Sequence, residues 1–122
     1  MKKIFFILTI SLITVSLHAQ LTNTKWKTTL QLDQPVDVVF SFTADTLDVS
    51  NADDYSNLET MKYILQDTTF TIQKLYGQSV CDTTIGTYSL KITDNTLWIK
   101  LISDNCSDRA NVIRDIKLTK EE

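Results

Sequence analysis

Histidine is almost missing from this chain, and the one present, His18, falls in a leader that is expected to be removed. A mature chain without imidazole has no histidine general base, proton shuttle or histidine metal ligand. The usual enzyme signatures are missing too: the sequence has no G-x-S-x-G, no P-loop and no clustered metal ligands. Composition leaves a carboxylate-pair glycosidase open, but no pair of acids stands out. The expectation is a non-enzyme with no cofactor. Long apolar runs are also lacking. Ile4 to Val15 is shorter than a membrane span needs, and nothing later resembles a span. Basic charge is scarce: losing Lys2 and Lys3 takes the formal net charge from −3 to −5, which makes a nucleic-acid partner improbable.

Residues 1–19 read as a signal peptide. Lys2-Lys3 supply the charged start, Ile4 to Val15 the apolar stretch, and Leu17-His18-Ala19 a small-residue cleavage site before Gln20. No cysteine sits at the cleavage point, so the expectation is a secreted or periplasmic protein without a lipid anchor. Residues 20–122 then form one domain, too short for two separate cores.

Within that domain, apolar and polar residues alternate in eight stretches with almost no helical period, which argues for an antiparallel all-β fold. The first, Lys25 to Leu32, puts Trp26, Thr28, Leu30 and Leu32 on one face, and the second, Val36 to Thr43, aligns Val36, Val38, Phe40 and Phe42. Thr46 to Ser50 is short. Leu58 to Leu65 carries Met61, Tyr63 and Leu65, and Thr68 to Tyr76 carries Phe70 and Ile72 with a bulge expected near Lys74. Ile85 to Thr93 and Thr96 to Ser103 form a hairpin about Asp94-Asn95, pointing Tyr88, Leu90, Ile92, Leu97, Ile99 and Leu101 inward and Trp98 outward. Ala110 to Thr119 is the eighth strand, with Val112, Ile116 and Leu118 aligned.

The connections alternate in length. Ala44-Asp45, Gln66-Asp67 and Asp94-Asn95 are tight, whereas Asn51 to Asn57, Gly77 to Thr84 and Asp104 to Arg109 are longer and polar. In an up-and-down meander, alternate connections lie at the same end, so one end is closed by turns and the other is ringed by loops. The only two cysteines, Cys81 and Cys106, both fall at the loop end and flank one hairpin, where a disulfide can form. In an exported chain that bond is the expected state, contributing about 3 kcal/mol on the chain-entropy account. Closing the eight strands into a barrel removes exposed sheet edges, and such a barrel either packs solid or holds one small ligand.

Several blocks resemble the small bacterial lipocalin-like domains of the calycin superfamily. They are L-T-N-T-K-W from Leu21 to Trp26, G-T-Y-S-L from Gly86 to Leu90, T-L-W-I from Thr96 to Ile99, D-N-C-S-D-R from Asp104 to Arg109, and I-K-L-T-K from Ile116 to Lys120. Thr24 stands where lipocalins usually carry a glycine, and the helix that larger relatives place after the last strand is not expected here. The resemblance implies an eight-stranded antiparallel up-and-down barrel, plugged at its closed end by Trp26, that binds a small apolar or amphipathic molecule at the other. Small exported barrels with one disulfide also resemble bacterial metalloprotease inhibitors, whose N-terminal arm enters the enzyme. Here that arm is Gln20 to Thr24, and the partner is a protein. A third possibility is an interior filled completely by aromatics, leaving only the surface to act.

The candidate ligand-binding residues follow from the first reading: Phe40, Phe42, Tyr63, Phe70, Tyr88 and Leu101 lining the interior, with Arg109 and Arg114 as anion hooks. Arg109 is either such a hook or the centre of a local ion pair with Asp104 or Asp108. Arg114 shares parity with Val112, Ile116 and Leu118, so it turns inward unless a bulge intervenes, and an inward arginine needs either a protein carboxylate or a ligand's acid group as partner. Trp98 is either an aromatic anchor for a partner or a half-covered surface residue. Asp53, Asp54, Asp82, Asp104 and Asp108 make the loop end acidic, but their spacing matches no EF-hand loop, and no metal is expected.

Overall fold

The computed structural model describes residues 16–121. The charged and apolar parts of the expected signal peptide, residues 1–15, therefore lie outside the described residues. A short helix α1 (Leu17–Leu21) spans the expected cleavage site. Eight strands follow: β1 (Thr24–Gln31), β2 (Pro35–Phe42), β3 (Thr46–Asn51), β4 (Asn57–Gln66), β5 (Thr69–Gly77), β6 (Gly86–Thr93), β7 (Thr96–Asp104) and β8 (Asp115–Glu121), with a second helix α2 (Ser107–Ile113) between the last two. The strands form a closed antiparallel barrel in sequence order, sealed by β1 against β8. Among the described residues, no helix is long and apolar enough to cross a membrane.

Alternation in the sequence becomes alternation of burial. In β1, Trp26 and Leu30 are buried while Lys25, Lys27 and Thr29 face out. In β7, Leu97 and Ile99 are buried and Trp98 is half-buried on the outer face. Asp67 and Asp94 adopt positive φ of 54° in the tight turns after β4 and β6, a conformation that short polar side chains tolerate. The expected bulge in β5 is present: Thr60 pairs with Tyr76 and Met61 with Lys74, leaving Leu75 as the extra residue.

The expectation for the eighth strand needs correcting. Residues 107–113 are helical, with Arg109, Ala110 and Ile113 buried, and the strand begins only at Asp115. The spacing of those three is that of one helix face, and Asp108 sits in the first turn, where it favours the positive end of the helix dipole. Val112 matched the strand parity only by coincidence. Arg114 consequently caps the end of α2 and is exposed rather than turned inward, while its carbonyl accepts a hydrogen bond from Leu101 N at 2.6 Å.

Away from the loop end the barrel is packed solid. Phe42, Tyr63, Phe70 and Tyr88 form a continuous aromatic column, with successive centroids 5.5, 6.5 and 5.9 Å apart in edge-on or tilted arrangements. Trp26, 1% exposed, fills the turn end, where its indole N–H donates to Thr24 Oγ1 at 2.8 Å. Leu21 is fully buried in the same core. Its segment is tied to the barrel by Asn23 N, which donates to Phe42 O at 2.8 Å. Cys81 and Cys106 are bonded at the loop end, with Cα atoms 5.7 Å apart.

Candidate functional site

The loop end stays open where the turn end is filled. A cavity of about 550 Å³ lies there, within the ~300–1,000 Å³ usual for small-molecule sites. Leu30, Phe40, Val49 and Met61 form its floor from the inner faces of four strands. Ile113 of α2 covers one side, and Leu32 and Val80 stand exposed at the rim. The polar groups on its wall are Glu59 and Arg109, together with polar residues of the rim.

Arg109 is 8% exposed and held by Asp104, whose side chain is fully buried. Its Nε donates to Asp104 Oδ2 at 2.6 Å, and its Nη2 donates to Asp104 Oδ1 at 2.9 Å and to Thr84 O at 2.7 Å. The same carboxylate accepts from Tyr88 OH at 2.5 Å and from Cys106 N at 2.9 Å. Burial by itself would raise the Asp104 pKa, but the hydrogen bonds from Arg109, Tyr88 and Cys106 N outweigh it and hold the carboxyl below its ordinary range. Burial and the neighbouring carboxylate push the Tyr88 phenol far up, so it remains a donor. Close approach of β7 to β6 makes this possible: a Cβ on Gly86 would lie 2.6 Å from Asp104 Cγ.

One corner of the network is left open. Arg109 Nη1 is buried and has no hydrogen-bond partner. Glu59 has a similar remainder: its Oε2 accepts from Ser79 N at 3.0 Å, while its buried Oε1 has only Lys74 Nζ at 3.8 Å. The bulged β5 brings Lys74 there, and Gly77, at φ +146°, lets the chain turn against Glu59, whose Cα would be 2.6 Å from a Cβ. An unmatched guanidinium N–H and an unmatched carboxylate oxygen thus belong to residues on the wall of one apolar cavity.

Of the residues expected to bind a ligand, the structure brings only Phe40 and Arg109 to the cavity. Phe42, Tyr63, Phe70 and Tyr88 are committed to the packed column, Leu101 is half-buried against the core, and Arg114 is exposed on α2. Both readings of Arg109 contain part of its geometry. It is ion-paired locally, to Asp104, and still carries one uncommitted donor. Tyr88 reaches the site indirectly, through Asp104. Glu59 and Ile113 were not anticipated. The i, i+1, i+4 spacing of Arg109, Ala110 and Ile113 was the available signal for the helix; nothing marked Glu59.

The loop aspartates do not converge. Asp54 and Asp82 close their own turns onto Ser56 and Thr84, which lowers both carboxyl pKa values. Among the described residues, no group of three or more potential ligands is placed to hold a metal ion. Comparison with known proteins gives no match: no family model, curated protein or solved structure aligns with the chain.

Proposed function

We propose that this chain is an exported, lipocalin-like binding protein. It holds one small amphipathic molecule at the loop end of the barrel, apolar body against Leu30, Phe40, Val49 and Met61 and acidic head toward Arg109. The observation that carries the reading is Arg109, a residue of the cavity wall whose buried Nη1 has no hydrogen-bond partner. A buried charged donor left unmatched costs on the order of 1–3 kcal/mol, which an anionic ligand group would offset with a charge-assisted hydrogen bond. The ligand sits in the mouth, on the floor formed by Leu30, Phe40, Val49 and Met61. The disulfide and the lack of a membrane-spanning helix among the described residues are compatible with export. Action through the Gln20–Thr24 arm is the weaker reading, because an inserting arm must be free, and here Leu21 is buried and Asn23 is bonded to β2.

The test is a titration with 1-anilinonaphthalene-8-sulfonate, an apolar ring system bearing one anionic group, followed by displacement with medium-chain fatty acids. The reading expects saturable enhancement at one site per chain, reversed by the acids and not by the corresponding alcohols. Equal displacement by alcohols and acids would remove Arg109 from the account, and absence of any saturable site would remove the mouth.

A further inference from the structure

The outer face of β6, β7 and β8 carries a second feature, independent of the mouth. Trp98 is directly opposite Lys91 on one neighbouring strand and Lys117 on the other. Lys100, two residues along β7, projects to the same side. The Lys117 ammonium lies 5.1 Å from the centre of the Trp98 ring. Together they line an open depression of about 660 Å³, with the hydroxyls of Ser89, Thr93 and Thr96 around it. Two carboxylates belong to the neighbourhood: Asp94 at one edge, and Asp115 opposite Lys100. Among the described residues, neither lies within ion-pair distance of any of the three lysines.

Three uncommitted lysines around one aromatic ring are unexpected on a chain whose formal charge is −3. The face carries three lysines, Lys91, Lys100 and Lys117, against two carboxylates, Asp94 and Asp115, neither of which pairs with them. We propose that this face binds an acidic polysaccharide chain. The indole offers a flat, electron-rich face for the C–H side of a sugar ring. The hydroxyls suit sugar hydroxyls, and lysines on both flanks suit carboxylates spaced along a polymer rather than one compact anion. Lys91 and Lys117 are two strands apart, roughly 10 Å by ordinary strand spacing, which again fits an extended polyanion. An anionic membrane is the poorer fit, because Trp98 is half-buried in a depression and cannot lead an insertion.

The experiment titrates the full exported chain with oligogalacturonate and follows tryptophan emission. Trp26 is 1% exposed at the closed end and is shielded from this face, so a change reports Trp98. Poly-glutamate supplies the charge without the sugar, dextran the sugar without the charge, and phosphatidylglycerol vesicles the membrane alternative. Expected is saturable binding of oligogalacturonate that weakens with salt, no binding of dextran, and clearly weaker binding of poly-glutamate. The Lys100→Gln/Lys117→Gln double variant should lose about tenfold in affinity, and Trp98→Leu, followed by calorimetry, a similar factor. Both variants change outer-face residues, and their melting temperatures verify folding. Equal affinity for poly-glutamate, preference for vesicles, no saturable binding, or wild-type affinity in folded variants would each overturn the proposal.

Discussion

Replacing Asp104 by asparagine isolates the interaction that shapes the mouth. The Asp104 side chain is fully buried and accepts four hydrogen bonds: two from Arg109, one from Tyr88 and one from Cys106 N. Asparagine keeps the size but exchanges one acceptor oxygen for an NH2, which must then face a donor. It also leaves the Arg109 guanidinium, 8% exposed, without its counter-charge. Removing one partner of a buried pair costs about 3–5 kcal/mol, because the other charge stays desolvated. For a domain of this size that corresponds to a fall in Tm of more than about 10 °C. The assay is urea unfolding followed by circular dichroism, with the midpoint lowered and the slope unchanged. Acid unfolding gives a second readout. Since the Asp104 carboxyl is depressed below its ordinary 3.8 when folded, its contribution is complete above that value and is lost as pH falls toward the lower folded pKa. Wild type should therefore lose more stability than Asp104→Asn across that acid window. The control is Asp104→Leu/Arg109→Met, which removes both charges and should recover much of the loss. A cost below about 1 kcal/mol for Asp104→Asn, or a double variant no better than the single, would refute a buried charge pair as the organiser of the mouth.

Other expectations follow from particular contacts. Gly77→Ala puts a Cβ against the β4 backbone at φ +146° and should destabilise by at least about 2 kcal/mol in the same urea assay. Cys81→Ser/Cys106→Ser should cost about 3 kcal/mol, and a reducing agent should lower the wild-type midpoint toward that of the variant. Leu21→Ala should cost about 2–5 kcal/mol if the N-terminal segment is part of the core; a loss under 0.5 kcal/mol would return that segment to the role of a free arm. Glu59→Gln, measured with 1-anilinonaphthalene-8-sulfonate, should change affinity for the dye by less than about threefold, since the sulfonate is read by Arg109.

The barrel was legible because its strands obey period two almost throughout. Trp26 and Leu30, Phe40 and Phe42, Leu97 and Ile99 each declared an inward face, and loop lengths placed both cysteines at one end. The Leu75 bulge showed as a break in that parity. Parity failed where two periods coincide. Val112, Ile116 and Leu118 are spaced as in a strand, yet tertiary packing gives residues 107–113 to a helix whose Ile113 covers the mouth and whose end exposes Arg114. The site was less legible for a related reason. Inward parity says which residues enter the barrel but not how deeply, so Phe42, Tyr63, Phe70 and Tyr88 read as lining when they are packed against one another. Glu59 was hidden because its importance depends on Gly77 and Lys74, brought to it only by the bulged pairing of β4 with β5.

Native mass spectrometry of the protein recovered from its native source tests the binding account most directly, by comparing gently ionised and denatured samples. The account predicts a single adduct of small-molecule mass that departs on denaturation and carries an acidic group, with retention reduced when Arg109 is replaced by Lys in a folded variant. An adduct retained equally by that variant, or a bare chain that also fails to take up added fatty acid, would contradict it.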